Sequence, residues 1–413
     1  MSALPVFQPA DADEVAAFLR ERSQADAPVR LRGGGSKAEF GRPMGNETLV
    51  DLSKLAGITL YEPGELVLTA RAGTKLAEIE AAIAENNQCM AFEPPAFGPL
   101  FGAEASPTLG GTVAAGWSGP RRVKAGAVRD HVLGALAVGG EGEMFKSGGR
   151  VVKNVTGFDL PKLLTGSHGT LAALTDITIK VLPAPEVTRT LAILGLDDAD
   201  AIRLLAGLLG GPYEVSGAAH LPAAAARRSS IASIASAGTS ATLIRLEGFG
   251  PSVADRFAGL QARCGRDHPA VAIDAEEGAV LWCEIRDVAP LVAPDRIIWR
   301  LSLPPTDGAG AVAAIRGTAE AEAFYDWGGG IVWLSLPPSD AIAGGAHTET
   351  VRGRLPSGHA TLMRAPADIR ATAPVFHPPD PALAALQARV KSAFDPRGIL
   401  APGFMGPSAT GAG

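Results

Sequence analysis

Hydrophobic positions in the first part of the chain alternate between helical and strand spacing. Val15, Phe18 and Leu19 share one helical face, which predicts a helix near the start of the chain. Two apolar runs within residues 58–72 flank a Glu-Pro-Gly-Glu turn and predict a β-hairpin. Residues 74–85 then follow a helical period. This alternation of strands and helices predicts a mixed fold of helices and sheets.

The pattern changes after Pro185. Residues 187–245 are rich in Ala and combine a helical period with a strand, which predicts a separate α+β unit. The segments IIWRLSLPP, at 297–305, and GIVWLSLPP, at 330–338, resemble each other and indicate an internal repeat. Residues 381–394 predict a last helix.

Composition narrows the class of protein. The chain has 413 residues, of which 46% are hydrophobic and 19% charged, so two or three globular domains are expected and a disordered chain is excluded. A net charge of −6 without a basic stripe argues against nucleic acid as a partner. Three widely spaced cysteines without a CxxC pair indicate a reduced, cytoplasmic chain with no iron–sulfur motif of its own. Neither a signal peptide nor a membrane-spanning helix is expected.

Glycines concentrate in three stretches next to predicted strands. These stretches are RGGGS at 32–36, PTLGGT continuing to GWSG at 107–119, and GSHGTL at 166–171. Successive amides in such loops can converge on phosphate oxygens, although each loop alone could also be a plain turn. None is a GxGxxG fingerprint or a P-loop, so a nicotinamide Rossmann site and an NTPase are disfavoured.

Taken in order, these motifs resemble a known superfamily. RGGGS, SPTLGGTVA, KNVTGFDLPKLLTGSHGTL and TDITIKVLPAP resemble the FAD-binding domain of the vanillyl-alcohol-oxidase/PCMH flavoproteins. Within it, RLEG at 245–248, WRLSLPP at 299–305, YDWGGGIVWL at 325–334 and SGHATLMRAP at 357–366 are similar to the family of E subunits of bacterial glycolate oxidases.

The resemblance implies an α+β fold of three parts. A PCMH-type FAD-binding domain of two α/β subdomains is expected over residues 1–186. A smaller α+β, ferredoxin-like cap domain is expected over 187–370, for substrate or subunit contacts. Residues 371–413 would form a helix and a segment that returns to the FAD domain.

The resemblance also implies where FAD is held. The first loop would bind the pyrophosphate, the second would follow the cofactor towards the flavin, and the third would bring backbone to its other side. The implied residues are Gly33, Gly34, Gly35, Ser36, Pro107, Thr108, Gly110, Gly111, Ser118, Gly119, Gly169 and Leu174. Because the first loop has no His or Cys, we expect noncovalent FAD. The closing segment, Leu400 to Gly403, has Ala401 where the superfamily usually has Asn.

Catalytic residues are less well marked. Related 2-hydroxy-acid dehydrogenases carry an HxGDGNxH motif, which is missing here, and we expect no metal site. His359 is the candidate base and Arg300 the candidate clamp for a substrate carboxylate. Either could instead be structural: His359 as a hydrogen-bonded residue, Arg300 as the partner of an acidic neighbour. Asp326 and Trp327 are further candidates. The histidines expected to be exposed are His220, His268, His347 and His377.

The resemblance implies a subunit that oxidises glycolate, a small 2-hydroxy acid, and passes electrons through flavin to an iron–sulfur partner. A second flavoprotein subunit would carry the catalytic histidines, so the chain alone should not turn over glycolate. Membrane association would arise only through the complex, peripherally at the inner membrane. Two alternatives stay open, namely a self-sufficient FAD-dependent 2-hydroxy-acid dehydrogenase and a non-catalytic assembly subunit.

Overall fold

A small parallel sheet begins the fold. The computed structural model describes residues 5–150, 157–338 and 347–406. Strands β1 (Val6–Phe7), β2 (Val29–Arg32) and β3 (Thr48–Asp51) pair in the order β1-β3-β2. Helix α1 (Ala12–Gln24) starts at Asp11, whose carboxylate accepts the amide of Glu14, and it buries Val15 and Leu19 against this sheet.

A second, antiparallel sheet follows, with strand order β4-β5-β9-β7-β8. Strands β6 and β10 pair separately. The strands are β4 (Ile58–Glu62), β5 (Val67–Arg71), β6 (Gln88–Cys89), β7 (Val132–Val138), β8 (Met144–Gly148), β9 (Ala173–Lys180) and β10 (Leu182–Pro183). The helices are α2 (Leu76–Ala84), α3 (Gly98–Phe101), α4 (Leu109–Ala115), α5 (Arg122–Ala125), α6 (Val128–His131) and α7 (Leu160–Leu164). The predicted hairpin is confirmed as β4 and β5, and the predicted helix over 74–85 as α2.

The remaining strands form one antiparallel sheet, which we call the cap sheet. Its strands are β11 (Val187–Leu194), β12 (Val215–Leu221), β13 (Ala241–Gly248), β14 (Ala270–Ile273), β15 (Ile297–Ser302), β16 (Glu322–Asp326), β17 (Ile331–Leu336) and β18 (His359–Arg364). The helices that follow β11 in the chain are α8 (Asp198–Leu209), α9 (Ala223–Ala226), α10 (Ala232–Ala235), α11 (Gly250–Cys264), α12 (Ala275–Arg286), α13 (Gly308–Arg316), α14 (Thr348–Arg352), α15 (Ala367–Thr372) and α16 (Pro381–Phe394).

The cap sheet consists of two ferredoxin-like halves. Its order is β14-β11-β13-β12-β16-β17-β15-β18, so each half has the pairing of a β-α-β-β-α-β unit. The halves join where His220 of β12 pairs with Tyr325 of β16. The predicted repeat of 297–305 and 330–338 is wrong in its placement, because β15 and β17 are neighbouring strands within one half. Both strands are largely buried.

One face of the cap sheet packs on the N-terminal part of the chain. Trp299 and Leu334 point to helices α8, α11 and α13, whereas Phe324 and Trp333 point to the other face. There they meet Phe97 and other aromatic residues of the N-terminal part. Arg300 pairs with Trp333 and therefore lies on this same inner face. The boundaries proposed at 186 and 370 stay predictions.

Four charged residues form ion pairs between the N-terminal part of the chain and the cap sheet. Arg245 of β13, 2% exposed, donates two hydrogen bonds of 2.9 Å to Glu93. Arg121 binds Glu247 of the same strand at 2.6 Å. The Arg245 guanidinium also lies 4.5 Å from the ring centre of Trp282. We call these four charges the interdomain latch. Each buried carboxylate in it has a cation within hydrogen-bond distance.

The end of the chain returns to the first sheet. Leu400 pairs with Val29 of β2 in parallel. The Lys391 ammonium of α16 donates to the carbonyl oxygens of Thr170, at 2.6 Å, and Leu400, at 2.9 Å. Ala401 adopts φ 44°, the left-handed conformation that Asn tolerates better than Ala.

Candidate functional site

The three glycine stretches meet in one cleft that is partly open to solvent. It lies between the loop after β2, the start of α4 and the turn before β9. Five of the predicted cofactor residues line it, namely Gly33, Gly110, Gly111, Gly169 and Leu174. Most of the other lining side chains are apolar. The segment 153–156 of the KNVTG motif lies outside the described residues.

The first glycine loop offers free backbone donors. Within the part of the chain that the structure describes, the amides of Gly34, Gly35, Ser36 and Lys37 donate to no protein acceptor. Gly35 has φ 81°, a conformation that favours Gly. Ser36 is 4% exposed. Gly34, Gly35 and Lys37 are half-buried. Four consecutive free donors beside a cleft fit a ligand with several acceptor oxygens, such as a pyrophosphate.

The second glycine loop has a different role. Its amides are already bonded, since Gly110 donates to the Ala72 carbonyl at 2.8 Å and Gly111 to the Thr108 hydroxyl at 3.4 Å. The Pro107 carbonyl accepts the amide of Leu76. These residues therefore shape one wall of the cleft and contribute no free amide at Gly110 or Gly111.

Direct contact between the first two loops explains their glycines. A Cβ on Gly33 would lie 2.3 Å from the Thr108 hydroxyl, and one on Gly34 would lie 2.0 Å from the Ser106 carbonyl oxygen. A Cβ on Gly110 would lie 2.6 Å from that of Ala72. Any side chain here would separate the walls of the cleft. No local sequence pattern signals the contacts of Gly33 and Gly34, because they join residues more than 70 positions apart.

Ser118 and Gly119 are outside the cleft lining. The Ser118 hydroxyl accepts the amide of Val128 at 2.9 Å, and the Gly119 amide donates to the Phe92 carbonyl at 3.1 Å. The Gly119 carbonyl accepts the indole N–H of Trp327 from the cap sheet at 3.1 Å. Gly119 therefore lies where the N-terminal part meets the cap sheet, whereas Ser118 is bonded within the N-terminal part.

A row of aromatic rings connects the cleft with the cap sheet. His168, which lines the cleft, lies 5.8 Å from Trp117, which is 5.2 Å from Phe97. Phe97 is in turn 5.8 Å from Trp333, the strand neighbour of Arg300. All these distances join ring centres. The cleft and the inner face of the cap sheet thus belong to one packed interface.

Two basic residues beside the cleft are perturbed by burial. Burial lowers the pKa of Lys37 to about 8, and the charge of Asp287 opposes this effect. Burial, together with the charge of Lys37, lowers the pKa of His168 to about 4, so this imidazole is neutral at pH 7. The Lys37 ammonium contacts the Ser36 hydroxyl at 3.4 Å. Lys37 directly follows the predicted loop, yet the sequence motifs did not single it out.

Among the described residues, no carboxylate lies within ion-pair distance of Arg300. Within the described residues neither Arg300 nor Arg122 forms an ion pair, although both guanidinium carbons lie near the ring centre of Trp327, at 5.3 and 4.3 Å. Burial and the charge of Arg122 lower the pKa of Arg300 to about 10, against the opposing effect of Asp326. Two cations without an ion-pair partner among the described residues converge from the two parts of the chain, and their charges would favour an anion at this site. Arg122 carries no local sequence signal for this role.

Asp326 borders the same site. It is 4% exposed, and its Oδ1 accepts the amide of Trp327 at 2.7 Å. Burial raises the pKa of Asp326 to about 7. Its side chain lies on the inner face of the cap sheet, like that of Phe324 two residues before it.

His359 occupies a different environment. It begins β18, the edge strand of the cap sheet, and its side chain is exposed. Its ring lies 5.4 Å from that of His377, a neighbour that the sequence did not reveal. Among the described residues no group of three His, Cys, Asp or Glu side chains is placed to hold a metal ion.

Two expectations for other histidines are wrong. His220 is fully buried in β12 and contacts the Thr242 hydroxyl at 2.9 Å and Asp198 at 3.3 Å. His347 is 7% exposed, and its Nε2 contacts the Pro337 carbonyl at 2.8 Å. Both histidines are satisfied by neighbours, which agrees with structural roles.

Comparison with known proteins adds three findings. Residues 3–148 match a family model described as an FAD binding domain. The chain is 34% identical to glycolate oxidase subunit GlcE of Escherichia coli (strain K12) over 401 residues, 96% of this chain and 98% of that protein. It is 32% identical to a D-lactate dehydrogenase of Archaeoglobus fulgidus over 188 residues, 46% of this chain and 41% of that protein.

The fold also has solved relatives. The crystal structure of p-cresol methylhydroxylase with substrate bound superposes with a TM-score of 0.71, over 99% of this chain and 90% of that one, at 13% identity. This likeness shows the PCMH-type fold. No helix among the described residues is long and apolar enough to cross a membrane.

Proposed function

Because the chain belongs to the family of glycolate oxidase GlcE subunits, we propose that it is the FAD-binding subunit of a glycolate oxidase complex. It is an FAD-dependent oxidoreductase acting on CH–OH groups. The proposed reaction is oxidation of glycolate to glyoxylate. The proposed partners are a second flavoprotein subunit and an iron–sulfur subunit that receives the electrons. The three separate cysteines of this chain favour an iron–sulfur cluster held elsewhere.

The free amides of the first glycine loop are the observation that carries this proposal. Gly34 to Lys37 would hold the FAD pyrophosphate, with the Lys37 ammonium beside it. Gly33, Gly110, Gly111, Gly169 and Leu174 would enclose the cofactor in the cleft. When bound, FAD supplies a two-electron acceptor. The absence of His and Cys from the first loop supports noncovalent binding.

Arg300 supports a substrate with a carboxylate. A half-buried arginine without an ion-pair partner among the described residues is costly unless an anion joins it, and the carboxylate of a 2-hydroxy acid has the right charge and planar shape. Arg122 would strengthen the same anion site. His359 is the base that the sequence suggests, but its exposed position at the sheet edge gives this role less support than Arg300 has for carboxylate binding. We propose a cytoplasmic chain that reaches the inner membrane only through its partners.

The test is to purify the chain with FAD, alone and together with its partner subunits. Flavin absorption at a stoichiometry near one, with glycolate-dependent reduction of an artificial electron acceptor by the complex, is the expected result. A chain without flavin would favour the assembly-subunit alternative. Equal steady-state turnover with and without partners would favour the self-sufficient dehydrogenase.

A further inference from the structure

Oxidation of a CH–OH group requires a base near the hydroxyl, because the proton must leave as the hydride does. On the sequence alone, His359 is the single candidate for that base in this chain. The sequence marks Asp326 as a further candidate without giving it a role, and the structure places its carboxyl group in the interface itself. A catalytic role for this acid rests on the proposed 2-hydroxy-acid chemistry, although it does not depend on which partner subunits are present.

Asp326 and Arg300 lie on the same face of the cap sheet, in adjacent rows. Asp326 pairs with Ile331, which pairs with Ser302, and Ser302 is two residues from Arg300 along β15. Residues two apart in a strand point to one face. Trp327 links them further, since its amide binds Asp326 and its ring lies 5.3 Å from the Arg300 guanidinium carbon.

The surroundings of Asp326 leave it able to take a proton. Apart from the amide of Trp327, no group among the described residues donates a hydrogen bond to it. Three charged side chains face it: Glu93, which disfavours ionisation, and Arg245 and Arg300, which favour it. Burial outweighs the two cations, so the pKa of Asp326 rises to about 7. A carboxyl group with this pKa changes its protonation state near neutral pH, as a general base should.

We propose that Asp326 accepts the hydroxyl proton of a 2-hydroxy acid whose carboxylate is held by Arg300 and Arg122. The O–H bond breaks and its proton forms a bond to a carboxylate oxygen of Asp326. The C–H bond on the same carbon breaks, and its hydrogen leaves with both electrons to FAD, which is reduced. A C=O bond forms, so the acid is oxidised by two electrons to the 2-oxo acid. The proton of Asp326 later passes to solvent.

The test is the anaerobic reduction of the bound flavin in a single turnover. The full chain carrying FAD is mixed with glycolate or D-lactate, alone and in the complex, across about pH 5.5 to 9. We expect the rate to rise with pH around the pKa of Asp326. Asp326→Asn should reduce the rate by about 10²–10⁴-fold and remove this pH dependence. Asp255→Asn is the matched control, because Asp255 is an exposed carboxylate on α11, which covers the opposite face of the cap sheet.

Oxalate binding separates this role from a structural one. Oxalate, an unreactive dianion, should perturb the flavin spectrum with the same or higher affinity in Asp326→Asn, because the arginines remain. Retention of the wild-type rate within tenfold in Asp326→Asn would overturn the proposal, as would loss of rate in His359→Gln instead. If Asp326→Asn fails to fold, the wild-type pH profile decides, and a flat profile overturns the proposal. The proposal is also overturned if neither glycolate nor D-lactate reduces the bound flavin of the wild-type protein. Failure of the complex to pass electrons from glycolate to an acceptor would instead refute the proposed function.

Discussion

Removal of the central arginine of the interdomain latch should be severely destabilising. Arg245→Leu leaves the carboxylates of Glu93 and Glu247, whose side chains are only 12% and 10% exposed, without their shared cation. Breaking a buried ion pair by removing one partner costs about 3–5 kcal/mol. The matched control is Arg203→Leu on α8, where the side chain is 74% exposed and pairs with Asp200. That change should cost no more than about 1 kcal/mol.

The latch also predicts a pH dependence. Burial alone would raise the pKa of Glu247, yet Arg245 and Arg121 hold it at about 2, and the pKa of Glu93 is likewise lowered. Carboxylates with lowered pKa values stabilise the fold above their ordinary pKa of about 4.5, and this stabilisation is lost as the pH falls towards 2. The difference between wild type and Arg245→Leu should therefore shrink below about pH 4.

Urea unfolding followed by tryptophan fluorescence measures both effects, because Trp282 lies against Arg245. A loss below about 1 kcal/mol for Arg245→Leu at neutral pH would refute this account of the latch. An equal loss in Arg203→Leu, or a loss that does not change with pH, would do the same.

Three further predictions concern the cofactor and the acid in the interface. Gly110→Val should destabilise the fold by about 1–3 kcal/mol and reduce the FAD content. Gly64→Val is the control, because a Cβ at Gly64 meets nothing within 4 Å, and it should change neither quantity. Full flavin content in Gly110→Val would contradict this prediction. Acid precipitation should release all the flavin, and colour kept by the pellet would reveal a covalent bond. Burial raises the pKa of Asp326 to about 7, so the folded state keeps a proton that the unfolded state loses near pH 4. The stability of the wild type should therefore decrease as the pH rises from about 4 to about 7. The thermal stability of Asp326→Asn should not show this decrease. Equal dependence of thermal stability on pH in the wild type and the variant would refute the prediction.

Local periodicity was sufficient to predict many of the elements. Leu76, Ile79 and Ile83 have the spacing of one helix face, and all three are buried in α2. The hairpin of β4 and β5 followed from two apolar runs around a turn. The similarity of 297–305 to 330–338 was misleading because the two segments form neighbouring strands, β15 and β17, within one half of the cap sheet. The strand order displays a different repeat, in which β11–β14 correspond to β15–β18. The sequence analysis did not detect this correspondence.

The candidate site divides in the same way. Glycine loops are visible in sequence because three consecutive glycines are unusual, and five of the predicted residues meet in the cleft. The contacts of Gly33 with Thr108, and of Arg122 with Trp327, join distant parts of the chain and have no local signal. His220 was expected to be exposed, yet the run VSGAAHL around it forms a buried strand. The apolar run around a polar residue was therefore a better guide to its burial than the type of the residue itself.

The interface contains two groups of charges that obey different rules. In the latch, Arg245 and Arg121 each bind a carboxylate directly, so burial of the four charges is compensated within the chain. Around Trp327, Arg300 and Arg122 have no such partner among the described residues, and the nearby acid is held back from ionising by burial. Both groups lie between the same two parts of the chain. Location in this interface therefore does not explain why one pair of cations has carboxylate partners and the other pair has none among the described residues. An uncompensated pair of cations beside an acid that can gain or lose a proton near pH 7 is completed by a ligand that brings a negative charge and releases a proton. A 2-hydroxy acid at the moment of its oxidation meets both conditions.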